Sequence, residues 1–139
     1  MSTLFTRIID GELPGRFVWR DECCVAFLSI NPLQPGHTLV VPIAEVDQWT
    51  DLPAGQAEHL VRVAQVIGRA QVEVFRPARV GLVIAGYEVP HCHVHVIPTW
   101  SMADLDFANA VQDPDPTALD DAAERLRSAL VAGGHAEAG

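Results

Sequence analysis

The stretch "HCHVHVI", His91 to Ile97, constrains the fold most tightly. Polar and apolar residues alternate along it, which is the period of a half-buried strand. Side chains at i, i+2 and i+4 share one face of a strand, so His91, His93 and His95 are expected to lie side by side at steps of roughly 6.5–7 Å. Cys92, Val94 and Val96 are then expected to face the core. A helix would scatter the three rings. The β-branched valines and Pro98 also favour a strand. The chain has six histidines in 139 residues, so this one segment holds half of them.

Three kinds of chemistry are compatible with that spacing. The rings can decorate a solvated sheet face. Neighbouring imidazoles can share a transition metal, although no cysteine or carboxylate stands at an obvious fourth position. Or they can handle phosphate. A neutral imidazole is a nucleophile able to form a covalent intermediate. Flanking imidazoles, with pKa values near ~6.5, can hold phosphate oxygens and protonate a leaving group.

The rest of the chain supplies a frame for one domain over residues 1–139. "RFVWRDECCVAFLSI" reads as a hairpin, "NPLQPG" as a turn and "HTLVVP" as a short strand. "WTDLPAGQAEHLVRVAQVIGRAQVEVF" reads as the main helix, with Asp51 as N-cap and Pro53 in its first turn. Its expected buried side is Leu60, Val63, Ala64, Ile67 and Gln71. "ARVGLVIA" and "HCHVHVIP" read as strands. A last helix is expected over about 114–132, with Asp115 as cap, Pro116 opening it and Gly133 closing it. Its apolar side is Leu119, Ala122, Leu126, Ala129 and Leu130. The order β-β-β-α-β-β-α predicts an α+β domain: a mainly antiparallel five-stranded sheet, a central helix and a C-terminal helix on one side.

Charge and cysteine content narrow the function. The net charge is −9, and all nine basic residues are scattered arginines, so a basic nucleic-acid surface is not expected. No apolar run approaches the ~20 residues of a membrane span. The opening residues lack the apolar core of a signal peptide, so a cytoplasmic protein is expected. Cys23 and Cys24 would point to opposite strand faces, and with Cys92 all three are expected to be reduced. His59 and His135 are expected at the surface. Trp19, Trp49 and Trp100 are expected in the core or at a subunit contact.

Two motifs in order around a helix, "PGHTLVVP" and "HCHVHVI", resemble the histidine triad family, its Hint-like branch in particular. The resemblance covers about residues 4–100. It implies a fold that dimerises and joins two sheets, with a nucleotide or other phosphorylated small molecule as ligand. It implies hydrolysis or nucleotidyl transfer at the α-phosphate through a covalent nucleotidyl-histidine. By the motif match His93 is the nucleophile, His95 contacts the phosphate and helps the leaving group, His91 positions the nucleophile, and His37 supports the catalytic imidazole. Phe5, Ile8 and Phe27 would wall a base pocket. No cofactor is implied.

The chain departs from the family pattern at several positions. Thr3 and Thr6 stand where many relatives have a Cys-x-x-Cys zinc pair, and Glu45 where a further histidine ligand is common, so no structural zinc is expected. Ser29 replaces an aspartate that grips the ribose. The loop "GLVIAGYEVPH" is short and lacks the family's asparagine and Gly-rich run. Tyr87 replaces a glutamine that contacts phosphate, and Glu88 follows the bacterial pattern. Two alternatives to the enzyme therefore stand: a non-catalytic nucleotide-binding homodimer and a His-ligated metal protein.

Overall fold

The computed structural model describes residues 2–139. A short helix α1 (Leu4–Ile9) precedes strands β1 (Phe17–Arg20), β2 (Cys24–Leu28) and β3 (Thr38–Pro42). The long helix α2 (Ala54–Phe75) follows, then β4 (Arg79–Val83), β5 (Val94–Thr99) and α3 (Pro116–Ala132). The strands form one fully antiparallel sheet in the order β1-β2-β3-β5-β4. The expected α+β architecture is therefore present, with one addition. The sequence reading did not resolve α1 as a helix, because its six residues carry too little periodicity. Thr3 caps it by accepting a hydrogen bond from the Thr6 N–H.

The alternation of the strands sorts two cores. Cys24, Ala26 and Leu28 of β2, Val40 of β3 and Cys92, Val94 and Val96 pack against Leu60, Val63, Ala64 and Ile67 of α2 and Leu126 of α3. Val25, Phe27, Leu39 and Val41 point the other way, onto Phe5 of α1. The central and C-terminal helices share one side as expected, and α1 covers the opposite face. That face is where the histidines lie. Pairing of Leu39 with His95 and of Val83 with His95 places β5 between β3 and β4 and fixes which residues flank the ring.

Helix α3 begins as expected, with the Asp115 side chain accepting from the Thr117 N–H and Pro116 at the first position, and it ends at Gly133. The start of α2 is corrected. Residues Trp49–Asp51 form a separate 3₁₀ turn, and Pro53 occupies the cap position without a side-chain hydrogen bond. Pro53 holds Leu52 before it extended (φ −68°, ψ 143°), so the helix cannot run back to a cap at Asp51. Trp19 is buried, but Trp49 and Trp100 are about half exposed and take no part in the core. The three cysteines are free: Cys23 is exposed, Cys24 and Cys92 buried. No described helix is long and apolar enough to cross a membrane.

The turn before β3 explains "PGHT". Gly36 has φ +87°, and a Cβ there would collide with the Phe75 ring. Its carbonyl accepts from the Thr38 hydroxyl and from Gln71 Nε2 of α2, tying the turn to the helix. Gly36→Ala combines a left-handed backbone penalty with overpacking, and a destabilisation of about 2–4 kcal/mol is expected. Urea unfolding will show it as a lowered midpoint at unchanged slope. A midpoint equal to wild type would mean that the turn relaxes freely.

Candidate active site

The three triad rings are all buried, with His91 at 0%, His93 at 2% and His95 at 5% exposure, and His37 joins them at 1%. His91 and His93 precede β5, and His95 lies within it. The shared face expected from alternation is realised: the His93 and His95 ring centroids are 5.0 Å apart, and His37 lies 5.1 Å from His95. A solvated decoration is excluded by this burial.

Hydrogen-bond chemistry fixes the tautomers by elimination, because a backbone carbonyl only accepts and a backbone N–H only donates. The Leu33 N–H donates to His37 Nδ1 at 3.0 Å. His37 then carries its proton on Nε2 and donates it to His95 Nδ1 at 2.9 Å. His95 in turn carries its proton on Nε2. On the other arm, His93 Nδ1–H donates to the His91 carbonyl at 2.8 Å, which leaves His93 Nε2 as a bare lone pair. Neither Nε2 has a protein partner among the described residues. Among the described residues Gln71 Oε1 is the sole fully buried side-chain N or O atom without one, so both Nε2 atoms retain an opening to solvent. A donor and a nucleophilic lone pair thus stand on neighbouring rings.

The protonation states agree. Burial, with the nearby His95 and His93 rings, pushes His37 down to about 3. Burial and His93 push His95 down to about 4. Burial also lowers His91, against the opposing influence of the Pro42 carbonyl and Glu45. His37 and His95 are therefore neutral at pH 7, as the elimination requires.

His91 is locked at both ring nitrogens. Its Nε2–H donates to the Pro42 carbonyl at 2.7 Å, and its Nδ1 accepts from the Thr3 hydroxyl at 2.7 Å. Glu45 accepts from the Thr3 N–H at 2.8 Å and from Thr6, whose hydrogen bond is the main reason its carboxyl sits below the ordinary range. Thr3, Thr6 and Glu45 stand where the resemblance places zinc ligands, and the residues present do not fit zinc. Two of them offer only neutral hydroxyls, and the one available imidazole nitrogen already has a hydrogen-bond donor. A closed network of side chains ties α1 to β3 and to the segment before β5 instead.

A cavity of about 420 Å³ opens beside the rings. It has the size of a small-molecule site. Phe5, Ile8, Phe27, Ser29 and Glu88 line it together with His37 and His95. Phe5 also packs edge-on against His93 at 4.9 Å. Tyr87 is the correction: it is 97% exposed and forms no part of the wall, because the bend at Gly86 (φ +88°) and the turn around it carry its ring outward. His59 is also more than a surface residue, since its Nε2 meets Asp21 Oδ2 at 2.7 Å. His135 is half-buried against Trp19.

Two cavity residues escaped the sequence reading. Arg16 is the single basic residue of the wall, tethered to Asp120 at 2.7 Å. Phe107 packs against His95 at 4.8 Å and His37 at 6.3 Å. It reaches them because Gln34 holds Asp104 at 2.6 Å and Asn31 binds the carbonyls of Val111 and Gln112. No motif marks residues 100–112. Only the polar anchors Gln34 and Asn31 hint that something is tied to the turn.

Comparison with known proteins places this geometry. A HIT domain family model matches residues 10–102. The chain belongs to the HIT, or histidine triad, family. It is 37% identical over 111 residues to the protein hit of Bacillus subtilis, covering 74% of each chain. It is 28% identical over 100 residues to an adenylylsulfatase of Arabidopsis thaliana, covering 68% of this chain and 51% of that one. Among solved structures, a zinc-bound histidine triad protein of Mycobacterium smegmatis superposes with a TM-score of 0.83 at 31% identity, covering 99% of both chains.

Proposed function

We propose that this histidine triad protein is a hydrolase or nucleotidyl transferase that works through a covalent nucleotidyl-His93. The observation that carries the reading is the pair of opposed tautomers, a bare Nε2 on His93 and a protonated Nε2 on His95. His93 Nε2 attacks the α-phosphorus, and the bond from phosphorus to the leaving group breaks as the new P–N bond forms. The departing atom accepts a hydrogen bond from His95 Nε2–H, which stabilises the charge it develops, and it leaves with a proton taken from solvent. Water then attacks phosphorus, the P–N bond returns its electrons to His93, and the proton the water sheds passes to solvent, so that each turnover consumes one water. His91 positions His93 through its carbonyl, and His37 orients His95.

The cavity supports a nucleoside phosphate as substrate. Phe5, Ile8 and Phe27 offer apolar faces to a base, Ser29 and Glu88 offer hydrogen bonds at the mouth, and Arg16 offers positive charge. The adenylylsulfatase among its relatives supports adenylyl derivatives. Phe107 closes over His95 and helps keep water from the leaving-group side. Rapid quenching of the protein with adenosine 5′-phosphoramidate, followed by mass spectrometry, is expected to find an adenylyl group on the peptide bearing His93. Tight AMP binding by calorimetry with neither turnover nor adduct would favour the non-catalytic binding reading instead.

The proposed assembly is a homodimer. Strand β4 has an unpaired edge, and Leu82 beside it and Val61 and Val72 of α2 are each about half exposed. A second copy would bury these together. Light scattering is expected to give twice the chain mass, and Leu82→Arg to halve it. A monomeric wild type would remove the two-sheet assembly.

A further inference from the structure

We propose that Asp21, Cys23 and His59 form a binding site for a divalent transition metal of the zinc class, on the α2 side of the sheet and separate from the triad. One donor atom from each residue lies within 4.8 Å of the other two. Thiolate, imidazole and carboxylate are the three donor types zinc prefers. Tetrahedral bonds of about 2.0–2.3 Å place such donors about 3.4–3.7 Å apart. The Asp21–His59 contact of 2.7 Å must therefore widen by under about 1 Å, and Cys23 must close by a similar amount.

The backbone prepares this arrangement. Asp21 and Cys23 sit in the turn between β1 and β2. Asp21 Oδ1 accepts from the N–H groups of Cys23 and Cys24, both at 2.8 Å, which holds the turn rigid. The other oxygen, Oδ2, faces His59 and accepts from Trp19 Nε1 at 2.8 Å. A ligand carboxylate steadied by an indole donor is a normal outer-shell arrangement.

A cavity of about 440 Å³ opens at the cluster, and His135 and Glu137 line it with the three residues named. It leaves room for a water or an added ligand at a fourth position. Three protein donors and one open position describe an exchangeable site, not a closed structural one. Metal binding converts the Cys23 thiol to a thiolate, and its proton goes to the buffer.

Cobalt(II) titration of the chelator-treated full chain tests the site. One equivalent per chain is expected, with a near-ultraviolet thiolate-to-cobalt absorption band. Cys23→Ser is expected to abolish the band, His59→Gln to weaken binding at least about tenfold, and His93→Ala to leave both unchanged. Absence of the band, its survival in Cys23→Ser or its loss in His93→Ala would overturn the assignment. A second measurement needs no variant. Cys24 and Cys92 are buried, so iodoacetamide reads Cys23 in the native protein. Zinc is expected to slow that alkylation at least tenfold, and an unchanged rate would overturn the site.

Discussion

His93→Ala will lower kcat for adenosine 5′-phosphoramidate by on the order of 10⁴-fold or more. The loss follows from removing the lone pair that forms the P–N bond, for which no neighbouring group substitutes. His95 presents a proton at Nε2, and His91 has both nitrogens engaged. AMP affinity should fall far less than kcat, because Phe5, Ile8 and Phe27 of the cavity wall, not His93, would hold the base. Removing a ring packed on Phe5 also leaves a small void, costing roughly 1–3 kcal/mol. His93→Gln fills more of that space and can still donate to the His91 carbonyl. Both variants are therefore expected to fold, bind AMP and turn over nothing. Turnover within tenfold of wild type in either would remove His93 as nucleophile.

The site was legible where side-chain period does the work. Alternation in "HCHVHVI" put Cys92, Val94 and Val96 into one core, where they lie, although the strand begins only at Val94 and leaves His91 and His93 in the segment before it. Alternation carries no information about what lies above the opposite face. Helix α1 and Phe107 cover it through contacts between residues far apart in sequence, such as Thr3 with His91 and Gln34 with Asp104. Tyr87 shows the same limit from the other side. It stands at the position of a phosphate-contacting glutamine, but a glycine with positive φ next to it turns the chain and sends the ring outward. The 3₁₀ turn at Trp49–Asp51 was hidden for a local reason: capping residues and Pro53 occur close together, and the proline sets the helix start.

Burial and hydrogen bonding together also explain why four histidines sit together without mutual repulsion. Each could carry charge near pH 6.5. His37 and His95 instead share one proton between facing nitrogens, and the Leu33 N–H closes the chain at its far end. The relay therefore has a direction. Backbone geometry sets the His37 tautomer, and that tautomer sets the one on His95.

His37→Ala tests this direction, since His37 is a positioning residue. The change leaves His95 Nδ1 without its donor, and the tautomer with the proton on Nδ1 becomes accessible. That tautomer has no N–H at Nε2 to donate to the departing atom. The effect must then depend on how much charge the leaving group develops there. With a phosphoramidate or an alkyl phosphodiester, kcat should fall by about 10²–10³-fold. With a p-nitrophenyl ester of AMP, whose leaving group departs as an anion, the fall should stay within about tenfold. His95→Ala should show the same selectivity at larger amplitude. A merely structural role for His37 predicts equal losses on all these substrates, because a displaced site handicaps each of them alike. Equal losses would therefore sever the relay from catalysis. Selective losses would show that the Leu33 N–H, three residues into a turn and outside the triad, determines which nitrogen of His95 meets the substrate.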